Sequence, residues 1–174
     1  MKNEKSLQID ESVVWDLLKE IKDPEIPVLS IVDLGIVREI KIQSPPPEDG
    51  GIEVVITPTY TGCPAMDMIA AAIKIEMATL GFKKVKVTHV ISPAWTTDWM
   101  SEEGKRKLKE YGIAPPNPKQ QACNDKLFAA DESVQFPHCQ SWHTHRISEF
   151  GSTACKALYQ CDDCKEPFDY FKCH

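Results

Sequence analysis

Apolar residues recur at helical spacing near the start of the chain, where Val13, Val14, Leu17, Leu18 and Ile21 follow Asp10 and stop at Pro24 and Pro27. The pattern predicts a first helix of about 10 residues. The period then shortens to two. Ile40 and Ile42 alternate with Glu39 and Lys41, Ile52, Val54 and Ile56 alternate likewise, and Pro45-Pro46-Pro47-Glu48-Asp49-Gly50-Gly51 joins the two runs, which reads as a β-hairpin. Met66, Ile69, Ala70, Ile73, Met77 and Leu80 mark one face of a second helix, with Pro64 suited to its first position and Gly81 to the residue past its end. Val85, Val87, His89 and Ile91 line one face of a third strand, which makes His89 a core histidine rather than a ligand. A loop containing Trp95 and Trp99 then leads to a third helix ending near Tyr111-Gly112.

This α-β-β-α-β-α order predicts an α+β fold, a small mixed or antiparallel sheet with helices on one face. From Ala114 to Ser133 the chain turns to Pro115-Pro116-Asn117-Pro118 and polar residues, with only Leu127 and Phe128 as apolar anchors, and reads as a linker. Beyond it, Trp142 to Ile147, Lys156 to Gln160 and Phe168 to Lys172 are short strand-like runs around Cys161-Asp162-Asp163-Cys164, as in a small zinc-ribbon-like β domain wrapped on one metal. The expected organisation is therefore residues 1–113 as the main domain, 114–133 as linker and 134–174 as a cysteine-rich tail. A unit of that last size buries little core and usually needs metal or disulfides.

Charge narrows the partners. The 174 residues carry 20 Lys+Arg against 26 Asp+Glu, a formal net charge of −6, which argues against nucleic acid. The runs Lys83, Lys84, Lys86 and Lys105, Arg106, Lys107, Lys109 read as solvated faces. Lys2 and Lys5 open a polar N-terminus with no apolar signal region, and no run of about 18 apolar residues occurs, so a cytoplasmic protein outside the membrane is expected. In that reducing compartment clustered cysteines more often ligate metal than pair.

Six of the seven cysteines lie beyond residue 120. Cys161 and Cys164 form a Cys-x-x-Cys knuckle, and Cys139 lies upstream, separated by 21 residues where about 15–20 is usual. The first cysteine of a matching knuckle is replaced by Phe136. A fourth zinc ligand is open among His138, His143, His145 and Cys155, the position could stay open, or the ribbon has lost its metal. Cys63 stands alone in Thr57-Pro58-Thr59-Tyr60-Thr61-Gly62-Cys63-Pro64. A helix starting at Pro64 makes Cys63 its N-cap, beside unpaired N–H groups that lower a thiol pKa and favour thiolate, with Thr57, Thr59 and Thr61 as hydroxyl donors to the sulfur. The competing reading is a small apolar filler. Asp23 and Glu25, either side of Pro24, are hard ligands, an acid–base pair or turn residues. Cys123, Cys155 and Cys173 have no role that spacing assigns.

Asp23-Pro24-Glu25-Ile26-Pro27, Asp33-Leu34-Gly35-Ile36-Val37 and Thr59-Tyr60-Thr61-Gly62-Cys63-Pro64 together resemble the SufT-like family of metal–sulfur cluster assembly domains over about residues 10–113. The tail segments Ser148 to Tyr159 and Glu166 to His174 look like the PaaD (also PaaJ) family, a subunit family of bacterial phenylacetyl-CoA oxygenase, or 1,2-phenylacetyl-CoA epoxidase. The resemblance implies an assembly domain followed by a zinc-ribbon-like tail, without catalysis of its own, serving aerobic phenylacetate breakdown. Its partners would be the separate oxygenase and reductase subunits. It makes Cys63 the ligand of a transient iron or iron–sulfur cluster with Asp23, Glu25, Thr59 and Thr61 around it, and Cys139, Cys161 and Cys164 structural zinc ligands. Family members usually have cysteine where this chain has Phe136, so the zinc set is incomplete. One thiolate leaves most cluster positions open, so a homodimer sharing the cluster is one arrangement. Two other classes compete: a thiol enzyme with Cys63 as nucleophile and Asp23 or Glu25 as base, and a docking subunit with no use for Cys63.

Overall fold

The computed structural model describes residues 9–46, 49–116 and 134–172. The expected linker falls outside the described residues from residue 117 onward, as do Lys2, Lys5, Cys123, Leu127, Phe128 and Cys173. Helix α1 (Glu11–Leu18) begins where Asp10 accepts the Val13 N–H, satisfying one of the orphan donors of a first turn. Strands β1 (Val37–Ser44) and β2 (Gly51–Ile56) form the antiparallel hairpin, and helix α2 (Ala65–Thr79) crosses over to β3 (Lys84–His89), which pairs with β2 in parallel. The sheet order is β1-β2-β3, so the sheet is mixed. Central β2 is buried along nearly all its length, and Ile52, Val54 and Ile56 meet Ile69, Ile73 and Met77 of α2 in one core. A 3₁₀ turn (Thr97–Trp99) precedes helix α3 (Glu102–Tyr111), which Ser101 caps by accepting the Gly104 N–H.

Two details of β3 differ from expectation. His89 is exposed, and Ile91 lies past the strand's end at 69% exposure. The reason is that β3 is an edge strand with only β2 beside it among the described residues, so Val85 and Val87 are half-buried and the face fades toward its end.

The Asp33-Leu34-Gly35 motif is a clamp. Asp33 accepts from the Ser30 N–H (3.0 Å), the Lys107 ammonium (2.8 Å) and the Ser101 hydroxyl (3.2 Å), tying α3 to the loop before β1. Gly35 has φ +67°, and a Cβ there would stand 2.2 Å from the Trp99 carbonyl oxygen, so only glycine lets the two loops approach so closely. Trp95 is buried and donates its indole N–H to the Leu34 carbonyl (2.8 Å).

The tail forms a second antiparallel sheet, β4 (Thr144–Ser148), β5 (Lys156–Cys161) and β6 (Pro167–Phe171), in that order. Its core gathers Val134, Phe136, Tyr159, Phe168 and Tyr170. The two cores interlock. Cys155 and Phe171 are buried in the first core, where the Phe171 ring meets Trp95 edge-on at 6.1 Å, while Ala114 belongs to the second core. Ala114 donates to the Asp169 carbonyl and accepts from the Phe171 N–H, both at 2.9 Å. The first residue of the expected linker is thus a bridge to β6.

Candidate functional site

The loop that follows α1, Asp23 to Leu29, closes on itself: Asp23 Oδ1 accepts the N–H groups of Glu25 and Ile26, each at 2.8 Å, while the Asp23 N–H donates to the Leu29 carbonyl (2.9 Å). This is an Asx-type turn, in which a short carboxylate replaces backbone partners. It buries Asp23 and leaves Glu25 half-buried. The Thr57–Pro64 loop brings Cys63 to the same place. Regular helix begins at Ala65 with Pro64, not Cys63, as its N-cap, so the cysteine stands one residue outside the expected position, where the Ala65 N–H still favours its thiolate. The hydroxyl on that sulfur belongs to Tyr60, not to a threonine. Thr57 and Thr59 are buried, Thr61 is exposed, and Thr57 Oγ1 has no hydrogen-bond partner.

The third contributor comes from the tail. Cys155 is 4% exposed, and its thiol points at Glu25 Oε2 (3.9 Å) and lies 3.0 Å from the Thr153 hydroxyl. Lys156 beside it is 3% exposed, 3.7 Å from Asp169, and acts electrostatically on both Asp23 and Glu25. Sequence spacing had offered Cys155 as a fourth ligand of the tail metal. The fold instead turns it away, into the first core.

Electrostatics here run against the expected thiolate at Cys63. Burial pushes the Cys63 thiol above its ordinary range, Glu25 and Asp23 push the same way, and together they outweigh the Ala65 N–H and the Tyr60 hydroxyl. Burial likewise raises Cys155, reinforced by Glu25 and Asp23 against the Thr153 hydrogen bond and Lys156. Asp23 is raised by burial, Glu25 by burial and by Asp23, and Tyr60 is pushed up to about 12 by burial, Cys63, Glu25 and Cys155. Two thiols and two carboxylates thus influence one another with Lys156 as the cation among them, although among the described residues only the tail cysteines bring three metal-ligating atoms within 4.8 Å of one another.

The tail's cysteines form a different kind of site. Cys139 Sγ lies 3.5 Å from Cys161 Sγ and 3.7 Å from Cys164 Sγ, and the three ligand atoms lie within 4.8 Å of one another. The Cys164 N–H, helped by that of Asp163, holds the Cys161 thiol down at about 7. Cys139 is raised: the Ser141 N–H favours its thiolate, but burial and the adjoining sulfurs of Cys161 and Cys164 prevail. Among the described residues no histidine nitrogen joins the three sulfurs within that distance. His143 and His145 instead face Asp163 (3.2 Å) and Asp162 (2.9 Å) through Nδ1.

Backbone geometry shows what Phe136 replaces. In the second knuckle the Cys161 carbonyl accepts the Lys165 N–H (2.9 Å), the Cys161 N–H donates to Glu166 (3.0 Å), and Lys165 has φ +66°. In the first, the Phe136 carbonyl accepts the Gln140 N–H (3.0 Å), the Phe136 N–H donates to Ser141 (2.9 Å), and Gln140 has φ +62°. The two turns repeat one pattern, with Phe136 at the position of Cys161. Its ring is 1% exposed and stacks near Phe168 (4.8 Å) and His138 (5.1 Å). Three clustered sulfurs in paired knuckles suit zinc, a borderline-soft ion that takes tetrahedral thiolate sets; Cys139, Cys161 and Cys164 would hold it and it would supply the closure that the small tail lacks.

Comparison with known proteins agrees with this two-part arrangement. The sequence profile described as "Iron-sulfur cluster assembly protein" matches residues 11–89, and that described as "PaaD zinc beta ribbon domain" matches residues 120–172. The chain is 51% identical, over 92% of its own length and 91% of the relative's, to a putative 1,2-phenylacetyl-CoA epoxidase subunit of Escherichia coli (strain K12). It is a member of the PaaD family. Its first part alone is 35% identical to an Fe-S protein maturation auxiliary factor of Porphyromonas gingivalis, covering 61% of this chain and 96% of that one. A crystal structure of a domain of unknown function, DUF59, from Bacillus anthracis superposes with TM-score 0.51 at 27% identity, covering 56% of this chain and 90% of that one. No helix among the described residues of this PaaD family member is long and apolar enough to cross a membrane.

Spacing along the sequence did not mark Tyr60, Cys155 or Lys156 for this site. Tyr60 carried a usable signal, a hydroxyl three residues before the cysteine it bonds. Cys155 carried none, since the carboxylate it faces is 130 residues upstream.

Proposed function

We propose that this PaaD family member is an accessory protein of a phenylacetyl-CoA epoxidase system that carries iron or an iron–sulfur unit at Cys63 and hands it to an oxygenase or reductase partner. The cargo is the substrate of that transfer. The observation that supports the reading is that Cys63, Asp23 and Glu25 are all raised by burial, with both carboxylates acting further on Cys63 and Asp23 on Glu25. Such a set is relieved when a divalent cation replaces its protons, and the mixed sulfur and oxygen donors accept iron at intermediate strength, as a carrier needs. The relatives named for Fe-S maturation and for an epoxidase component point to the same pairing of tasks. Thr59 and Thr61 shape the loop around the cargo. Cys139, Cys161 and Cys164 hold zinc and keep the tail folded, and the tail docks the partner. Exposed Trp142, Ile147 and Phe150 (53, 50 and 63% exposed) give that docking an apolar surface.

The test is anaerobic purification followed by measurement of iron, zinc and acid-labile sulfide per chain, in the native protein and in Cys63→Ser. Iron should bind the native chain and be lost from the variant while zinc stays. Partner activation should be abolished in the variant with its melting temperature unchanged; a fully active Cys63→Ser would overturn the carrier reading.

A further inference from the structure

We propose that the tail zinc takes only three ligands from this chain, Cys139, Cys161 and Cys164, and that its fourth position receives a neutral nitrogen donor from outside, an imidazole carried by another molecule. This deepens the role given to the tail and rests on the zinc assignment of the three cysteines, independently of any cargo at Cys63.

Sulfur spacing sets the first step. One ion with metal–sulfur bonds of about 2.3 Å holds tetrahedral sulfur pairs about 3.8 Å apart. Cys139 Sγ stands 3.5 Å from Cys161 Sγ and 3.7 Å from Cys164 Sγ, so the triad closes on a single ion with little movement. The fourth donor of a paired knuckle is missing at its source. Phe136 holds in the first turn the place that Cys161 holds in the second, and its buried ring packs against Phe168 at 4.8 Å. A hydrocarbon ring offers no lone pair to the ion.

The side chains that spacing offered instead face elsewhere. His138 directs Nδ1 toward Glu166 (3.7 Å), and its Nε2 lies 3.0 Å from where a Cβ on Gly112 would stand, beside the end of α3. His143 and His145 turn Nδ1 to Asp163 and Asp162, and Cys155 lies in the first core. Among the described residues no fourth His, Cys, Asp or Glu joins the three sulfurs. Cys139 and Cys164 are exposed, so a donor from another molecule can reach the triad.

Charge selects that donor. Three thiolates on a divalent ion leave a net negative charge, and a fourth thiolate would double it beside Asp162, Asp163 and Glu166, with Lys165 as the cation of the same turn. A neutral imidazole adds no charge, and three sulfurs with one nitrogen form an ordinary zinc set. Its lone pair displaces solvent from the ion; no proton is released and no electron moves.

The test loads the full chain anaerobically with one equivalent of zinc and counts neighbours by X-ray absorption at the zinc edge. Loading is then repeated with Co(II), and imidazole is titrated. Three sulfurs and one nitrogen or oxygen are expected in the native chain, and two sulfurs in Cys164→Ser. Imidazole should shift the Co(II) ligand-field bands saturably, one per ion, while a small thiol at the same concentration leaves them in place. Phe136→Cys should show four sulfurs and no imidazole response; where that variant fails to fold, the native titration decides. The same shift on adding an oxygenase component, lost once its histidines are carbethoxylated, identifies a partner side chain as the source; a shift with imidazole alone assigns the position to a small imidazole compound. Four sulfurs in the native chain overturn the proposal. So does a spectrum silent to imidazole, or one that changes in His138→Ala, His143→Ala or His145→Ala. A response to the thiol in place of imidazole overturns the neutral donor. Fewer than three sulfurs in the native chain overturns the zinc assignment as well.

Discussion

Cys161 in the tail and Cys63 in the first domain hold the same side chain in opposite electrostatic states. At Cys161 two turn N–H groups aim at the sulfur and bring the thiol to about 7, so thiolate is at hand near neutral pH without a metal. At Cys63 one helix N–H does the same, yet burial and two carboxylates override it. The same division separates two acidic loops. Asp33 is buried and still lies below the usual carboxylate range, because the Lys107 and Ser30 hydrogen bonds exceed the cost of burial. Asp23, ten residues earlier, is raised because burial wins over its two backbone N–H bonds. A compensated charge is a structural device; an uncompensated one waits for a ligand. On that distinction Asp33 is a structural group, and Asp23, Glu25 and Cys63 are the residues we propose for binding.

The comparison breaks most violently at Cys161. Cys161→Ser removes the sulfur whose thiol the turn N–H groups hold at about 7, and zinc affinity should fall by well over the ~10–100-fold of an outer-shell loss. Because Cys155 and Phe171 lie in the first core, melting of the tail should also lower the melting temperature of the first domain, which a tail on a free linker would not do. Calorimetry showing an unshifted transition for the first domain would refute the interlock.

Phe136→Cys sharpens the comparison in the other direction. The Phe136 turn already repeats the Cys161 turn, so a fourth thiolate would enter with its backbone in place. Zinc should bind more tightly and exchange more slowly. Without zinc the variant should lose stability toward the lower end of the ~3–5 kcal/mol that removal of a buried Phe ring costs, since the ring fills the tail's core. Zinc titration with urea unfolding, with and without chelator, reads both signs, and a variant equally stable in metal-free form would deny Phe136 its packing role.

Much of this was legible in the sequence wherever the cause was local. Val14 and Leu18, Ile69 and Ile73, or Ile52 and Ile56 announce their faces through period alone, and Pro64 and Gly81 mark the ends of α2 within a residue. The Cys161 knuckle was legible for the same reason, its donors lying within the four-residue turn. The state of Cys63 was not, although its helix terminus was, because the dominant influences arrive from Glu25 and Asp23 some forty residues earlier and from burial. Nor was the partnership of Glu25 with Cys155, which depends on how the tail folds back. Ala114 and Phe171, assigned by composition to a linker and a separate ribbon, trade places between the two cores for the same non-local reason.

The smallest effect discriminates the acidic loops. Asp33→Asn keeps a side-chain acceptor for the Ser30 N–H but leaves Lys107 without its charge partner, and should cost about 1–3 kcal/mol at neutral pH. Asp23→Asn keeps the acceptor for the Glu25 and Ile26 N–H groups while removing a charge that burial disfavours, and should be near neutral or slightly stabilising. The pH dependence separates them further. A carboxylate held below its unfolded value contributes stability that is complete above that value, 3.8, and is lost as the pH falls through the lower folded one, so native protein should lose this contribution below about pH 4 and Asp33→Asn should lack that part of the slope. Asp23 and Glu25, raised in the fold, act with the opposite sign: their ionisation as pH rises through the acid range works against folding, so Asp23→Asn should gain relative to the native chain toward neutral pH. Melting temperatures of the three proteins from pH 3 to 7 test both slopes, and parallel curves would mean that the two loops hold their charges alike.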